Sequence, residues 1–96
     1  MNALAEIQHW YLSQCDGTWE HAEGITIGTL DNPGWSVEIS LKGTNLQFKP
    51  FRGVSRLEPK VNWIRCWIEN ETFKGAGGPE QLEEILRTFL EWIKAA

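Results

Sequence analysis

Polar and apolar positions alternate most strictly just after Asn32. Trp35, Val37, Ile39 and Leu41 fall on one side of an extended chain, and Ser36, Glu38 and Ser40 on the other. Ahead of this run Ile25 and Ile27 share a side, while Gly24 and Gly28 thin the chain. TLDNPGW joins the two runs. Pro33 presets φ for the second position of a turn, Gly34 accepts positive φ at the third, and Asp31 offers a side-chain acceptor. Residues 19–41 therefore predict an antiparallel hairpin about a type II turn, dry on one face and wet on the other.

Residues 2–16 lack Gly and Pro, and Leu4, Ile7, Tyr11 and Cys15 recur at helical spacing with Trp10 and Leu12 at the margins. Asn2 can cap such a helix, and Gly17 can end it in the left-handed region. After a turn at KGTN, Leu46 and Phe48 alternate with Gln47 and Lys49, which predicts a third strand; Pro50 puts it at an edge. Residues 53–61 have no period and read as a loop. VNWIRCWIE alternates again, with Ile64, Cys66 and Ile68 facing a core and Trp63, Arg65, Trp67 and Glu69 facing away. A turn near Asn70 returns the chain through Thr72 and Phe73. GAGG then reads as a connection to a helix over 79–95. That helix has Pro79 at its start, Glu80, Glu83 and Glu84 in its opening turns, and Lys94 at its end. Leu82, Ile85, Leu86, Phe89 and Ile93 form its apolar stripe, flanked by Leu90 and Trp92.

These elements predict one α+β domain over residues 1–96. An antiparallel sheet of four to five strands is packed by an N-terminal and a C-terminal helix, in the order α-β-β-β-β-α. A chain of 96 residues has room for one core. Six tryptophans enrich either that core or a contact surface.

No stretch approaches the roughly 20 apolar residues of a membrane span. MNALAEIQHWY has neither a basic start nor a long apolar run, so no secretion signal is expected. Cys15 and Cys66, far apart in the chain, are then expected to be reduced thiols of a cytoplasmic protein.

Net charge is −4, unevenly spread. Residues 1–41 hold Glu6, Asp16, Glu20, Glu23, Asp31 and Glu38 with no Lys or Arg. Residues 42–65 hold Lys42, Lys49, Arg52, Arg56, Lys60 and Arg65 against Glu58 alone. An acidic first half repels nucleic acid and attracts a basic protein.

Most catalytic readings fail on residue type or spacing. GAGG lacks the Lys-Ser/Thr of a phosphate loop, and Glu80 stands where a dinucleotide fingerprint needs glycine. His9, Cys15 and His21 match no compact zinc spacing. A Cys15–His21 nucleophilic pair would place the thiol at a helix C-terminus, where the dipole disfavours thiolate. No metal, cofactor or catalytic residue is assigned. The basic middle segment, with Phe48, Phe51 and Trp63, remains the candidate nucleic-acid surface.

Taken together in this order, WYLSQCDGTWEH (10–21), TLDNPGW (29–35) and GAGGPEQLEEILRTFLEW (75–92) resemble the immunity protein 53 family, small bacterial antidotes found beside polymorphic toxins. The resemblance implies a non-enzymatic protein that binds and occludes a cognate toxin domain. An uncovered strand edge allows a weak homodimer beside the monomer, and from charge and hydropathy neither nucleic acid nor membrane is expected as partner. Glu20, His21, Glu23, Asp31 and Glu38 are the charged candidates for toxin contact; Trp19, Trp63 and Trp67 are the aromatic anchors. Trp19 and Trp35 have a competing role in packing the hairpin, and Glu20 one in holding the 15–24 loop through backbone amides. A nucleic-acid-binding domain built on 42–65, or a Cys-dependent enzyme such as a sulfurtransferase, stands as the alternative.

Overall fold

The computed structural model describes residues 2–95. Helices α1 (Ala3–Gln14), α2 (Trp19–Ala22) and α3 (Leu82–Lys94) accompany strands β1 (Ile25–Leu30), β2 (Gly34–Ser40), β3 (Val54–Arg56), β4 (Ile64–Glu69) and β5 (Thr72–Gly77). The strands form one antiparallel sheet in the order β1-β2-β5-β4-β3, so β5 is central and β1 and β3 are its edges. This is the expected α+β architecture with a helix from each end of the chain; the short α2 is an addition.

The register sorts the sheet into two faces. On one, three rows run across the strands: Ile25–Ile39–Phe73–Ile68, Ile27–Val37–Gly75–Cys66–Val54, and Thr29–Trp35–Gly77–Ile64–Arg56. α3 lies over this face. Its Ile85 occupies the space above Gly75 and Gly77, where a Cβ on Gly75 would run into Ile85 Cγ2. Phe89 meets Phe73 at 5.2 Å and Trp10 of α1 at 5.0 Å, both edge-on, the arrangement aromatic quadrupoles favour. Val37, Ile39, Ile64, Phe73, Ile85 and Phe89 are fully buried.

The β1–β2 hairpin forms as its alternation predicts, but the turn differs. Asp31, Asn32 and Pro33 make a three-residue loop with a cis Asn32–Pro33 peptide, and Gly34 is the first residue of β2. Gly34 does not have positive φ. Its glycine is required because a Cβ there would strike the Gly77 carbonyl oxygen. In contrast, Asn70 and Glu71 (φ 53° and 58°) both take left-handed backbone in the two-residue β4–β5 turn, as a type I′ hairpin requires.

Residues 46–49 form no strand. Hydrogen bonds of Thr44 N–H to the Leu41 carbonyl, Gln47 N–H to Thr44 and Lys49 N–H to Leu46 fold the segment into successive turns, and Thr44 Oγ1 accepts from Leu46 N–H. Local side-chain chemistry outcompetes the two-residue alternation. Leu46 is buried but Phe48 is 86 % exposed. The third strand lies instead in the segment read as a loop: Val54, Ser55 and Arg56 pair with Cys66, Arg65 and Ile64. GAGG likewise is no simple connection, since Gly75, Ala76 and Gly77 belong to the central strand. α3 begins at Leu82, not Pro79, because Gly78–Gln81 close a turn and the Pro79 carbonyl accepts from Trp35 Nε1 at 2.9 Å.

Asn2 caps α1 through Ala5 N–H, as expected, and α1 ends at Gln14 with Gly17 at φ +92° in the following bend. Its buried stripe is rotated, however, to Ala3, Ile7 and Trp10, leaving Leu4, Tyr11 and Leu12 exposed. Trp10 decides the rotation by lying edge-on to both Phe89 and Trp19. Glu6 then reaches α3 and pairs with Lys94 at 2.6 Å and Arg87 at 2.9 Å.

Candidate functional site

Among the described residues, no helix lies over the second face of the sheet. Its rows are Ser40–Thr72–Glu69, Thr26–Glu38–Lys74–Trp67, and Gly28–Ser36–Ala76–Arg65–Ser55. Trp67 is half-buried beneath its own neighbours: the Arg65 guanidinium lies 4.3 Å from its ring centroid, and its Nε1 donates to Glu69 Oε1 at 3.1 Å. That bond from Trp67, followed by Lys74 at 3.5 Å, holds the Glu69 carboxyl below its ordinary pKa. The indole is thus held by Arg65 over its ring and by Glu69 at its Nε1.

At the start of β1 the same face opens into a cleft of about 680 Å³. Tyr11 and Gln8 of α1, Glu20 and Glu23, Thr26 of β1, and Glu38 and Ser40 of β2 line it. Ser40 Oγ donates to Glu23 Oε1 at 2.6 Å. Glu38 makes no ion pair or side-chain hydrogen bond among the described residues. The cleft therefore presents carboxylate oxygens, together with Thr and Tyr hydroxyls, to whatever enters.

Of the eight residues singled out in the sequence, Glu23, Glu38 and Trp67 come together on this face. Glu20 lines the cleft but is committed to the backbone, accepting from Asp16 N–H (2.9 Å) and Gly17 N–H (2.8 Å). Backbone amides, its own first, lower its pKa. Glu20 is a loop clamp. His21 is exposed on α2, and Trp63 is half-buried ahead of β4, its carbonyl accepting from Gly78 N–H. Asp31 lies on the hairpin loop at the opposite end of β1, about 16 Å along the sheet from the Thr26–Glu38 row at roughly 3.3 Å per residue. Trp19 is corrected outright as a surface anchor: 6 % exposed, it packs against Trp10 and donates Nε1 to the Lys42 carbonyl. Glu6 and Asp16 are also taken up internally, Asp16 by the Trp19 and Thr18 amides that lower its pKa.

Lys74 is the residue of this face that the sequence does not offer, because its signal is the register of β5, which GAGG conceals by resembling a loop. Thr26 and Ser40 fall on the polar side of β1 and β2 by alternation alone.

Three of the six bases of the segment 42–65 have partners within the domain. Lys49 donates to the Trp92 and Ala95 carbonyls at the end of α3, Arg56 is bidentate to Glu84, and Arg65 covers Trp67. Phe51 is packed between Phe73 and Trp92. Cys66, buried beneath α3, has its thiol pushed up to about 11 by that burial, so it holds little thiolate at neutral pH. Cys15 donates Sγ–H to the Tyr11 carbonyl at 3.3 Å; both cysteines are free. No group of three or more His, Cys, Asp or Glu able to hold a metal occurs among the described residues. No helix among them is long and apolar enough to cross a membrane.

The family model for immunity protein 53 matches residues 4–94, nearly the whole chain. The chain belongs to the immunity protein 53 family. No curated protein and no solved structure matches it. Membership in this family makes it an immunity protein, and the matched residues take in α1, the sheet and α3.

Proposed function

We propose that the protein neutralises a cognate toxin by binding it, with no bond-making of its own, and that the open sheet face and its acidic cleft form the contact surface. The observation that carries this reading is the Thr26–Glu38–Lys74–Trp67 row on an uncovered sheet, beside Glu23, in a chain of an immunity family. An indole held flat by Arg65 and Glu69 offers a rigid anchor at low entropic cost, and tryptophan and arginine dominate binding hot spots. Glu23 and Glu38 complement a basic toxin surface, such as a groove that takes a polyanion, and carboxylates then occupy places meant for phosphates. The cytoplasm, where the toxin would act on kin cells, is the proposed place of action.

The test is coexpression with the toxin encoded beside the gene, scoring survival and copurification together. The wild type should rescue and copurify. A Glu38→Gln/Trp67→Ala variant should lose on the order of thirtyfold or more in affinity, the size of a hot-spot loss. Full affinity in that folded double variant would clear the open face. Tight, steeply salt-dependent binding of an oligonucleotide by the free protein would move the reading to nucleic acid.

A further inference from the structure

The two edges of the sheet are treated differently. β3 is three residues long and lies amid Pro50, Arg52, Arg56, Pro59 and Lys60, which are the usual devices against strand pairing. β1 is six residues, Ile-Thr-Ile-Gly-Thr-Leu, with no charge and no proline. Ser40 N–H bonds the Gly24 carbonyl at 3.0 Å, which fixes the phase of the β1–β2 ladder. With the antiparallel alternation, Thr26, Gly28 and Leu30 turn their backbone groups toward β2, while Ile25, Ile27 and Thr29 turn theirs outward, where no strand lies. Ile27 also overhangs the helices: it shares a row with buried Val37 yet is 40 % exposed.

Charge chooses the occupant. Glu20 and Glu23 stand at the start of this edge, Asp31 at its end and Glu38 on the adjoining strand; residues 1–41 contain no Lys or Arg, and Lys74, opposite Glu38 across β2–β5, pairs with Glu69 at 3.5 Å. A second copy pairing antiparallel about Ile27 would set Glu23 opposite the other copy's Asp31 at both ends, and like charges placed opposite each other repel. A basic strand meets no such conflict.

We propose that the toxin docks by strand addition: an extended segment carrying basic residues pairs with the outer edge of β1, and one of its cationic side chains enters the cleft between Glu23 and Glu38. This deepens the reading given under Proposed function and depends on it. Backbone bonds to Ile25, Ile27 and Thr29 supply affinity with little regard to sequence, and the cleft supplies selectivity.

Ile27→Pro isolates the edge. The N–H it removes points away from β2, and edge strands tolerate proline there, so the fold should persist while pairing is blocked. The folded variant should bind the neighbouring toxin at least about thirtyfold more weakly, a loss of hot-spot size. In the wild type, toxin should slow amide exchange at Ile25, Ile27 and Thr29. Affinity within twofold of wild type in folded Ile27→Pro, or unchanged exchange at those three amides in the complex, would overturn the proposal. Should Ile27→Pro fail to fold, the exchange measurement decides alone. A wild-type dimer that protects these amides without toxin, and is unaffected by it, assigns the edge to self-pairing and overturns the proposal too. A toxin that wild-type protein ignores altogether defeats the function reading itself, and this inference with it.

Discussion

On the helix side of β5 the chain carries Phe73, Gly75 and Gly77; on the other side it carries Thr72, Lys74 and Ala76. The first set is packed without space for one added carbon, and the second meets solvent. Glycine on the covered side lets Ile85 approach the backbone, while the open side keeps a lysine, a tryptophan and carboxylates at fixed spacing. The covered face holds the fold, so its side chains tolerate little change. The open face contributes little to stability, which leaves it free to be shaped by a partner.

The sharpest way to break this contrast is Phe89→Ala. It empties the junction of Phe73, Trp10 and Trp92, and chemical denaturation should report a loss of about 3–5 kcal/mol. Next comes Gly75→Ala, whose added Cβ collides with Ile85 and should cost about 1–3 kcal/mol. The neighbouring Ala76→Ser, on the open side, should be nearly silent in the same titration. If the two cost the same, the faces are not as different as their packing indicates.

A smaller effect concerns how α1 is tied to the covered side. Lys94 first, then Arg87, lower the Glu6 pKa below its ordinary 4.5. A carboxyl lowered in the folded state stabilises fully above its unfolded value and loses that contribution as pH falls through the folded one. The melting temperature of Glu6→Gln should therefore trail wild type at pH 7, and the gap should narrow as pH falls below the unfolded value of 4.5 and close once pH is below the lowered folded-state value. The smallest change is expected on the open face. Glu38→Gln/Trp67→Ala should move stability by no more than about 1 kcal/mol, since it removes one surface cation–π contact, one solvent-exposed hydrogen bond to Glu69 and one unpaired charge. A large loss of stability there would make Trp67 a structural residue and remove it from the contact surface.

Much of the fold was legible because local chemistry and tertiary packing agreed. The alternation of 35–41 and 64–68, the stripe of α3 and the cap at Asn2 each point to the observed element. The sequence misled where two readings share one signal. GAGG looks like a linker because glycine is flexible, but here it is a strand thinned for Ile85. The alternation of Leu46–Lys49 is too short to outweigh the turn bonds of Thr44. Trp19 and Trp67 both stand as anchor candidates in the sequence, Trp19 with a competing role in packing the hairpin, and only the tertiary packing shows which indole is buried.

The sequence by itself determined that the chain is an antiparallel-sheet fold of an immunity family with a helix from each end packed on it, because hydrophobic period and motif order are read along the chain. The tertiary structure alone decided which carboxylates are already committed, which tryptophan faces outward and which sheet edge is left undefended. Those depend on strand register and helix rotation, which are set by contacts between residues far apart in the chain.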